Sequence, residues 1–290
     1  KIESLGYNFG SKNRFSRYFN IKRKVKSINF YSHLIVRGVT PRQSLVLKNS
    51  PIKKKYFLFV GCLNDAKKNN PFNYQSLQNY LISKYRIYEM KKLSKVASFA
   101  CNSPGSVAEL KNDLNINSVY VPTNTISENY FLNYKIDNLN FNKLLFVGRV
   151  TNDKGIEELI QAVLKLNQSH TDKYQLNIVG PIIKSYKSYL LKKYDFEKNK
   201  INFHGFIPFG QKLMSFYDKS DLYILPSYHE GFPHSIWESA ARRIPVLCTP
   251  VGGIPSLLNE ASVTFINVQS HQSIVDEIIK ISNNKPQIHE

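Results

Sequence analysis

The sequence predicts an α/β protein with two domains, on the basis of three observations. From residue 143 onward, short apolar runs alternate with segments of helical period, which is typical of a doubly wound parallel sheet covered by helices. A less regular alternation of strand and helix precedes residue 140. The length of 290 residues is sufficient for two modest domains. We therefore expect one domain over residues 1–140 and a second over residues 141–290.

Six apolar runs in the second half have the length and composition of buried strands. Between the first two runs, residues 155–166 place apolar side chains at every third or fourth position, which predicts a helix with one face on the sheet. The predicted strands cover residues 144–147, 176–179, 201–203, 222–225, 246–248 and 263–266.

The first half predicts fewer elements. One long helix is expected over residues 74–93, and the polar stretch 127–143 has no clean period, so we expect it to link the two domains. The predicted strands of this half cover residues 34–36, 56–60, 97–100 and 119–121.

The charge of the chain is strongly asymmetric. Of a formal net charge of +19, residues 1–140 carry 23 Lys and Arg against 7 Asp and Glu, whereas residues 141–290 carry 17 against 14. Such a field attracts polyanions such as nucleic acid, phosphate-bearing substrates or an anionic membrane surface. The alternative is that the lysines only keep the protein in solution. No recognition motif for nucleic acid accompanies the charge, so we expect no nucleic-acid partner.

The remaining composition indicates a cytoplasmic protein. No window approaches the roughly 20 consecutive apolar residues of a membrane-spanning helix, and the first residues lack the apolar stretch of a secretory signal. The sequence has three cysteines, an odd number, and they are widely spaced at Cys62, Cys101 and Cys248. This pattern favours buried reduced thiols over a disulfide framework or a zinc site.

The segment 220–258 is the most informative part of the sequence. A buried strand runs into a loop, and a helix then begins near residue 234 or 235. In open α/β sheets ligands bind just beyond the carboxyl ends of the strands. The unpaired amides and the dipole of the helix start suit a diphosphate, and Ser235 offers a hydroxyl there. The residues that identify the loop are Pro226, Ser227, Gly231 and Pro233.

Two acids lie in this segment, eight positions apart. Glu230 stands in the loop and Glu238 about one turn into the helix, so both side chains can face the same crevice. Carboxylates beside a phosphate site are explained if they accept hydrogen bonds from sugar hydroxyls. The alternative is that Glu230 is a solvated loop charge and Glu238 a surface residue of the helix.

Several ordered motifs resemble glycosyltransferase family 4, a family of retaining glycosyltransferases with the GT-B fold. Besides the Glu-x7-Glu stretch, they are LLFVGRVTNDKGIEELIQAV at 144–163, FHGFIP at 203–208, the SDLYILPS strand and TPVGGIP at 249–255. Together they cover residues 143 to about 260. The resemblance implies two Rossmann-like domains facing a cleft, with the donor site in the second domain.

The resemblance also implies roles for individual residues. Arg149 and Lys154 would neutralise the donor diphosphate, in keeping with the charge that develops there in the transition state. Glu238 would bind the ribose hydroxyls and Glu230 the transferred sugar, which makes Arg149, Lys154 and Glu230 the catalytic candidates. The alternative for Lys154 is a surface position at a helix start. Further donor contacts would come from Gly231, Phe232 and Pro233 at the sugar, from Gly205, Phe206 and Ile207 at the base, and from Gly252 and Gly253 at the phosphate. The alternative for Gly252 and Gly253 is a simple turn.

The first half is similar to the family's acceptor domain, but less so. Arg37, Gly38 and Arg42 follow a predicted strand and are candidates for binding an anionic acceptor, with a solvated basic face as the alternative. Nothing before residue 31 supplies the first strand and glycine-rich loop of such a domain, so the N-terminal domain is expected to be incomplete. Where the family usually has a glycine before a donor-domain strand, this chain has Arg243.

These features predict a transferase that uses a nucleoside diphosphate sugar and a lipid-linked or glycan acceptor in bacterial surface polysaccharide biosynthesis, and the resemblance alone implies retention at the anomeric carbon. No cofactor or metal is expected, because Arg149, Lys154 and the helix start provide the charge that Mg²⁺ provides elsewhere. The basic first half would bind the anionic inner face of the cytoplasmic membrane. Two alternatives stay open, namely a sugar-nucleotide epimerase and a non-catalytic module that binds nucleotide sugars or polyanions.

Overall fold

The computed structural model describes residues 31–38, 41–60, 74–122, 126–132, 140–169 and 174–284. The chain separates into two compact units that divide between Val121 and Pro122. Cys62 and the basic segment before residue 31 lie outside the described residues, as does the region to which the expectation of an incomplete N-terminal domain refers.

The first unit is built on a four-stranded parallel sheet whose spatial order is the chain order. All four strands predicted for this half are present with small shifts at their ends, and the long helix has the predicted bounds. The strands are β1 (His33–Arg37), β2 (Lys54–Phe59), β3 (Ser98–Cys101) and β4 (Ser118–Tyr120), and the helices are α1 (Pro41–Asn49), α2 (Tyr74–Leu93) and α3 (Pro104–Leu114).

The helix α3 was not among the predicted elements, although local residues define both of its ends. Ser103 precedes the helix, and its hydroxyl accepts a hydrogen bond from the amide of Ser106 at 3.1 Å, while Pro104 fits the first helical position. At the other end, Asn115 adopts a left-handed conformation with φ of 54° that terminates the helix. Local capping therefore fixes both ends of the helix without help from distant residues.

The second unit contains a six-stranded parallel sheet, and each of the six predicted strands is present. Its spatial order is β10-β9-β8-β5-β6-β7. The strands are β5 (Lys143–Val147), β6 (Gln175–Val179), β7 (Ile201–Gly205), β8 (Leu222–Leu225), β9 (Val246–Cys248) and β10 (Thr264–Phe265).

Helices cover this sheet and bury its apolar side chains in one core. The predicted helical stripe of residues 155–166 buries Ile156, Leu159, Ile160, Val163 and Leu166, as expected for a face packed on a sheet. The helices are α4 (Ile156–Ser169), α5 (Lys184–Lys193), α6 (Gln211–Asp218), α7 (His234–Ala241) and α8 (His271–Asn284), with single 3₁₀ turns at Glu128–Tyr130, Asn152–Lys154 and Ile254–Ser256.

The strand order of this sheet reverses between β5 and β8. These two strands are parallel neighbours, with Leu144 beside Leu222, although a long stretch of chain separates them. Asp221 joins their starts, because its Oδ2 accepts hydrogen bonds from the amides of Asn142 at 3.1 Å and Lys143 at 3.0 Å. Such a reversal opens a crevice at the carboxyl ends of the two strands, which is where open α/β sheets bind ligands.

The segment 126–132 packs with the second unit. The guanidinium of Arg242 donates to the carbonyl of Tyr130 at 2.9 Å, and that of Arg243 donates to the carbonyl of Leu132 at 3.0 Å. The amide of Leu132 in turn donates to the carbonyl of Ala241 at 2.9 Å. The boundary between the units therefore lies earlier in the chain than the predicted one between residues 140 and 141, because these bonds hold the segment to the end of α7.

Two cysteines lie in the described part of the chain. Cys101 and Cys248 are free and buried, as predicted, and burial raises the pKa of Cys248 to about 12. Within the described ranges, no helix has both the length and the apolar character that a membrane crossing requires.

Candidate functional site

Three loops of the second unit come together at the carboxyl edge of the sheet. They follow β5, β8 and β9 and cover residues 148–155, 226–233 and 249–253. The amide of Tyr228 in the second loop donates to the carbonyl of Asp153 in the first at 2.8 Å. The hydroxyl of Tyr228 donates to Oε1 of Glu158 in α4 at 2.6 Å. The hydroxyl of Thr249 in the third loop donates to the carbonyl of Ser227 at 2.5 Å. The loops therefore form one connected surface.

Two glycines allow these loops to approach each other closely. Gly155 has a φ of +67°, and a Cβ there would lie 2.1 Å from the carbonyl oxygen of Pro226. Gly252 has a φ of +59°, and its Cβ would lie 1.6 Å from the carbonyl oxygen of Glu230. Both positions require glycine because the conformation is left-handed and no side chain fits.

The predicted pair Gly252 and Gly253 thus serves the packing of the loops. The amide of Gly253 donates to the carbonyl of Gly231 at 2.7 Å, within a turn at residues 252–253. The turn, which was the alternative interpretation of this pair, is what the structure shows, and the approach of these glycines to a phosphate stays a prediction.

Lys154 and Glu230 form an ion pair at the centre of this surface. The Nζ of Lys154 lies 2.6 Å from Oε1 of Glu230, and the two side chains are only 12% and 10% exposed. Ser227, which is fully buried, donates to the same carboxylate oxygen at 2.8 Å. Neither residue is therefore the solvated surface charge that was the alternative interpretation of each. Their mutual contact was not predicted.

Glu238 is a buried acid. Glu238 is 8% exposed, and its Oε2 accepts a hydrogen bond of 2.7 Å from the hydroxyl of Tyr217 in α6. Burial raises the pKa of the Glu238 carboxyl above its ordinary value, and the hydrogen bond from Tyr217 lowers the pKa in the opposite direction. A buried acid with one hydrogen-bond partner is costly, and its position is therefore not that of an ordinary surface residue of a helix.

The buried hydroxyl of Tyr223 lies between the end of β5 and the start of α7. It lies 2.6 Å from Oγ of Ser235 and 3.3 Å from the carbonyl of Val147 at the end of β5. Burial raises the pKa of Tyr223 well above its ordinary value, and the nearby charges of Glu230 and Glu238 raise it further. One buried hydroxyl on β8 therefore ties Ser235, at the start of α7, to the end of β5.

The two acids share a feature that bears on ligand binding. In each carboxylate, protein hydroxyl or ammonium groups occupy one oxygen, Oε1 in Glu230 and Oε2 in Glu238. No residue in the described part of the chain donates to the second oxygen of either acid. The arrangement fixes both side chains and leaves one strong acceptor on each for an external hydroxyl donor.

The cationic and helical candidates lie at the same edge. Arg149 follows β5, is exposed, and makes no hydrogen bond or ion pair within the described residues. Pro233 precedes α7, and no side chain caps that helix, so its first amides lack the partners that a cap provides. Ser235, predicted to face the diphosphate, is instead 9% exposed and hydrogen bonded to Tyr223.

The remaining donor-side candidates fall around this crevice or at the end of β7. Phe232 is buried against the ring of Trp237, with a centroid separation of 5.2 Å. Gly205 ends β7 with a φ of +70°, Phe206 is 71% exposed, and Ile207 packs on the core. Their predicted contacts with sugar and base stay predictions.

The acceptor-side candidates lie in the first unit. Arg37 is the exposed last residue of β1, and its carbonyl accepts a hydrogen bond of 2.6 Å from the side-chain amide of Gln43. Gly38 follows with a φ of +86°, and Arg42 belongs to α1. All three stay candidates.

Three hydroxyl groups of the site were not predicted: those of Tyr217 and Ser227, which donate to the acids, and that of Tyr223, which donates to Ser235. A signal for one of them was present, because a tyrosine inside the otherwise apolar strand LYIL needs a partner for its hydroxyl. Among the described residues, no three His, Cys, Asp or Glu side chains are grouped so that they could hold a metal ion.

A doubly wound sheet with cations, acids and an uncapped helix start at its point of strand reversal is characteristic of nucleotide-binding α/β domains. The sequence model of the family described as "Glycosyl transferases group 1" matches residues 135–290, and the chain therefore belongs to this family.

One curated relative is TuaC of Bacillus subtilis, a glycosyltransferase provisionally assigned by its name to teichuronic acid biosynthesis. It is 31% identical to this chain over 147 residues, which make up 50% of this chain and 34% of TuaC. The chain thus spans about a third of the length of this relative.

Two solved structures show the same fold. Sucrose-phosphate synthase from Thermosynechococcus elongatus has a TM-score of 0.72 at 18% identity, with 98% of this chain and 74% of that chain covered. The Anabaena protein HepE, solved in complex with UDP, has a TM-score of 0.64 at 16% identity, with 93% and 73% covered. The chain accordingly has the GT-B fold.

Proposed function

We propose that the second unit binds a nucleoside diphosphate sugar and that the protein transfers the sugar, with retention at the anomeric carbon, to a lipid-linked or polysaccharide acceptor in bacterial surface polysaccharide biosynthesis. Membership of the family supports transfer of a sugar. The name of TuaC supports a role in a cell-surface polymer, and the UDP complex of HepE supports a nucleoside diphosphate as the donor's leaving group.

The proposal depends on one observation about Glu230 and Glu238. Each acid has one carboxylate oxygen held by protein groups and one that no described residue contacts as a donor. Glu238 keeps Oε1 for the ribose hydroxyls, and Glu230 keeps Oε2 for a hydroxyl of the transferred sugar. Sugar hydroxyls are neutral donors that bind well to ionised acceptors, and the buried setting strengthens such hydrogen bonds.

The cations complete the donor site in this proposal. Lys154 reaches the crevice but is neutralised by Glu230 at 2.6 Å, whereas the exposed Arg149 has no partner within the described residues. A bound diphosphate would be shared by the two cations and by the uncapped start of α7. Positive groups held there stabilise the charge that develops on the departing diphosphate.

The acceptor and the membrane complete the proposal. The excess of Lys and Arg in residues 1–140 suits a pyrophosphate-linked lipid or an anionic membrane surface, since both are polyanionic. In this proposal the protein acts in the cytoplasm at the inner face of that membrane and needs neither cofactor nor metal.

The substitution Glu238→Gln tests the donor site. The amide oxygen of Gln still accepts the hydrogen bond from Tyr217, but the charged acceptor is lost, so affinity for UDP, GDP or ADP should fall about 10- to 100-fold at pH 7.5. Isothermal titration calorimetry measures this affinity. The base is unknown, which is why all three nucleotides are used.

Thermal unfolding of the same variant separates binding from folding. The pKa of Glu238 is raised by burial, so its charged form destabilises the folded state, and that cost appears as pH rises through the raised pKa. The melting temperature of the variant should therefore match or exceed that of the wild type at pH 7.5 and lose this advantage near pH 4. Glu277→Gln on α8 is the control and should change neither measurement. Equal nucleotide affinity in wild type and Glu238→Gln would contradict the proposal.

Catalysis is tested with radiolabelled UDP-, GDP- and ADP-sugars and bacterial membranes as the acceptor source. Label that enters a lipid or polymer fraction supports transfer. Free sugar or an epimerised donor in the absence of membranes would instead identify an epimerase or hydrolase, and binding with no product would identify a non-catalytic module.

A further inference from the structure

We propose that Tyr217 is a positioning residue of the donor site, whose hydroxyl fixes Oε2 of Glu238 and thereby directs Oε1 toward the nucleotide. This inference rests on the proposed function, because it concerns the acid assigned to the ribose. It adds a residue of α6 to a site otherwise built from α7 and the loops after β5, β8 and β9.

The contact between Tyr217 and Glu238 is isolated from solvent. Tyr217 is fully buried, Glu238 is 8% exposed, and their hydrogen bond of 2.7 Å joins α6 to α7, which pack together. Water has little access to a bond at this depth, so it cannot readily replace the hydroxyl. Within the described residues, no other side chain donates to Glu238.

The phenolic proton of Tyr217 is directed to Glu238. The hydroxyl of Tyr217 lies 3.4 Å from the carbonyl of Ser235, which is long for a hydrogen bond between oxygen atoms, and 2.7 Å from the carboxylate. A charged acceptor at the shorter distance takes the proton. The ring of Tyr217 is itself held beside that of Tyr223, with a centroid separation of 5.9 Å, so the hydroxyl is a fixed donor.

The bond from Tyr217 also removes rotational freedom from Glu238. A glutamate side chain has three rotatable bonds, and ordering such a side chain costs rotamer entropy. With Oε2 held, the carboxylate is ordered before the nucleotide arrives, so binding does not include this cost. Loss of the tyrosine hydroxyl should therefore weaken nucleotide binding about 10-fold.

The surroundings of Glu238 make its ionisation a direct readout of this contact. Tyr217 donates to it from α6, Tyr223 lies near it on β8, and Arg242, directly after α7, is paired with Asp218 at 2.6 Å. Burial raises the pKa of Glu238, and the bond from Tyr217 is the opposing influence. Removal of that bond should raise the pKa further.

The experiment compares Tyr217→Phe with Tyr223→Phe in the full chain. Both variants remove one buried hydroxyl from the same pair of rings, but only the first removes the bond to Glu238. Carbon-13 NMR of glutamate-labelled protein follows the carboxyl titration, and Glu238→Gln identifies the resonance. We expect the Glu238 midpoint to move to higher pH in Tyr217→Phe and to stay in place in Tyr223→Phe. An unchanged midpoint in Tyr217→Phe would overturn the inference.

Nucleotide binding then connects the contact to the site. Calorimetry with UDP, GDP and ADP should show about 10-fold weaker binding by Tyr217→Phe at pH 7.5, with affinity lost at a higher pH than in the wild type as the solution is acidified. A shifted NMR midpoint with unchanged affinity would show that the bond is only structural. If Glu238→Gln binds like the wild type, the ribose assignment fails, and the inference about Tyr217 fails with it. Melting temperatures of the two tyrosine variants serve as the folding control.

Discussion

At the scale of residues, the charged side chains of the site are held by contacts within the protein. Lys154 is neutralised by Glu230, and Glu238 is buried with a neutral donor. The sequence alone predicts both acids, because their spacing across a loop and a helix start is visible in one segment. It does not predict the contact between Lys154 and Glu230, because 76 positions separate them and only the neighbouring placement of β5 and β8 brings them together.

Lys154 has an ion-pair partner within the described residues and Arg149 has none, so substitutions of these two cations should have different effects. Lys154→Met leaves Glu230 buried without its cation, so it should destabilise the protein by about 2–4 kcal/mol and reduce turnover more than nucleotide affinity. Arg149→Met removes an exposed side chain, so stability should change by less than about 0.5 kcal/mol while nucleotide affinity and turnover fall. Urea unfolding and donor turnover measure the two effects.

The double variant Lys154→Met, Glu230→Gln provides the control for this prediction. It removes the unpaired charge and should recover much of the stability without recovering turnover. Equal stability loss in Lys154→Met and Arg149→Met would contradict the pairing.

At the scale of elements, the strands and the start of α7 follow from sequence, whereas the contacts between loops do not. The strand β8 has its predicted bounds because its four residues are all apolar or aromatic and are bounded by Asp221 and Pro226. The loops approach each other at Gly155 and Gly252, and sequence cannot show which chain segment lies opposite a glycine. At Arg243, where the family usually has glycine, the φ of +56° explains the family preference, since α7 ends there in a left-handed conformation.

The glycine contacts predict a graded effect of added Cβ atoms. Gly252→Ala should cost more than about 3 kcal/mol, because the methyl group would meet the carbonyl of Glu230 in addition to the strain of positive φ. Gly205→Ala has a similar φ but open space around the Cβ, so only the backbone cost of about 1 kcal/mol is expected. Chemical unfolding of both variants checks the difference, and equal costs would show that the loop contact at Gly252 is easily relaxed.

At the scale of the whole molecule, charge and fold divide differently between the two units. The second unit has six strands in one sheet among its described residues and a near-neutral charge balance, and its internal contacts support the proposed donor site. The first unit has four described strands and most of the excess charge, so sequence predicts its partners more than its geometry does. The asymmetry in net charge could be predicted from composition, because charged residues can be counted without knowledge of the fold. Composition could not place the boundary at Val121, which depends on hydrogen bonds between the segment 126–132 and α7.

The basic first unit should bind anionic membranes. Lysines line an open groove of about 390 Å³ beside β2 and the end of α2. Vesicles containing phosphatidylglycerol should therefore sediment the protein at 50 mM NaCl and release it at 500 mM, since salt screens exposed charges. Vesicles of phosphatidylcholine alone should not bind it. The groove lysines are Lys53, Lys54, Lys55 and Lys95.

Matched substitutions locate this binding. Glutamine at the four groove lysines should weaken vesicle binding more than glutamine at Lys184, Lys187, Lys192 and Lys198 of the second unit, which remove equal charge. Equal effects of the two sets would show that net charge alone, and not this groove, determines the association.

The most direct test of the central claim is a crystal structure of the chain with bound UDP, GDP or ADP. We predict that the nucleotide lies at the carboxyl ends of β5 and β8, with a ribose hydroxyl within about 3.2 Å of Oε1 of Glu238 and the diphosphate beside Arg149 and Lys154. A nucleotide bound elsewhere, or a Glu238 carboxylate that makes no contact with the ribose, would contradict it.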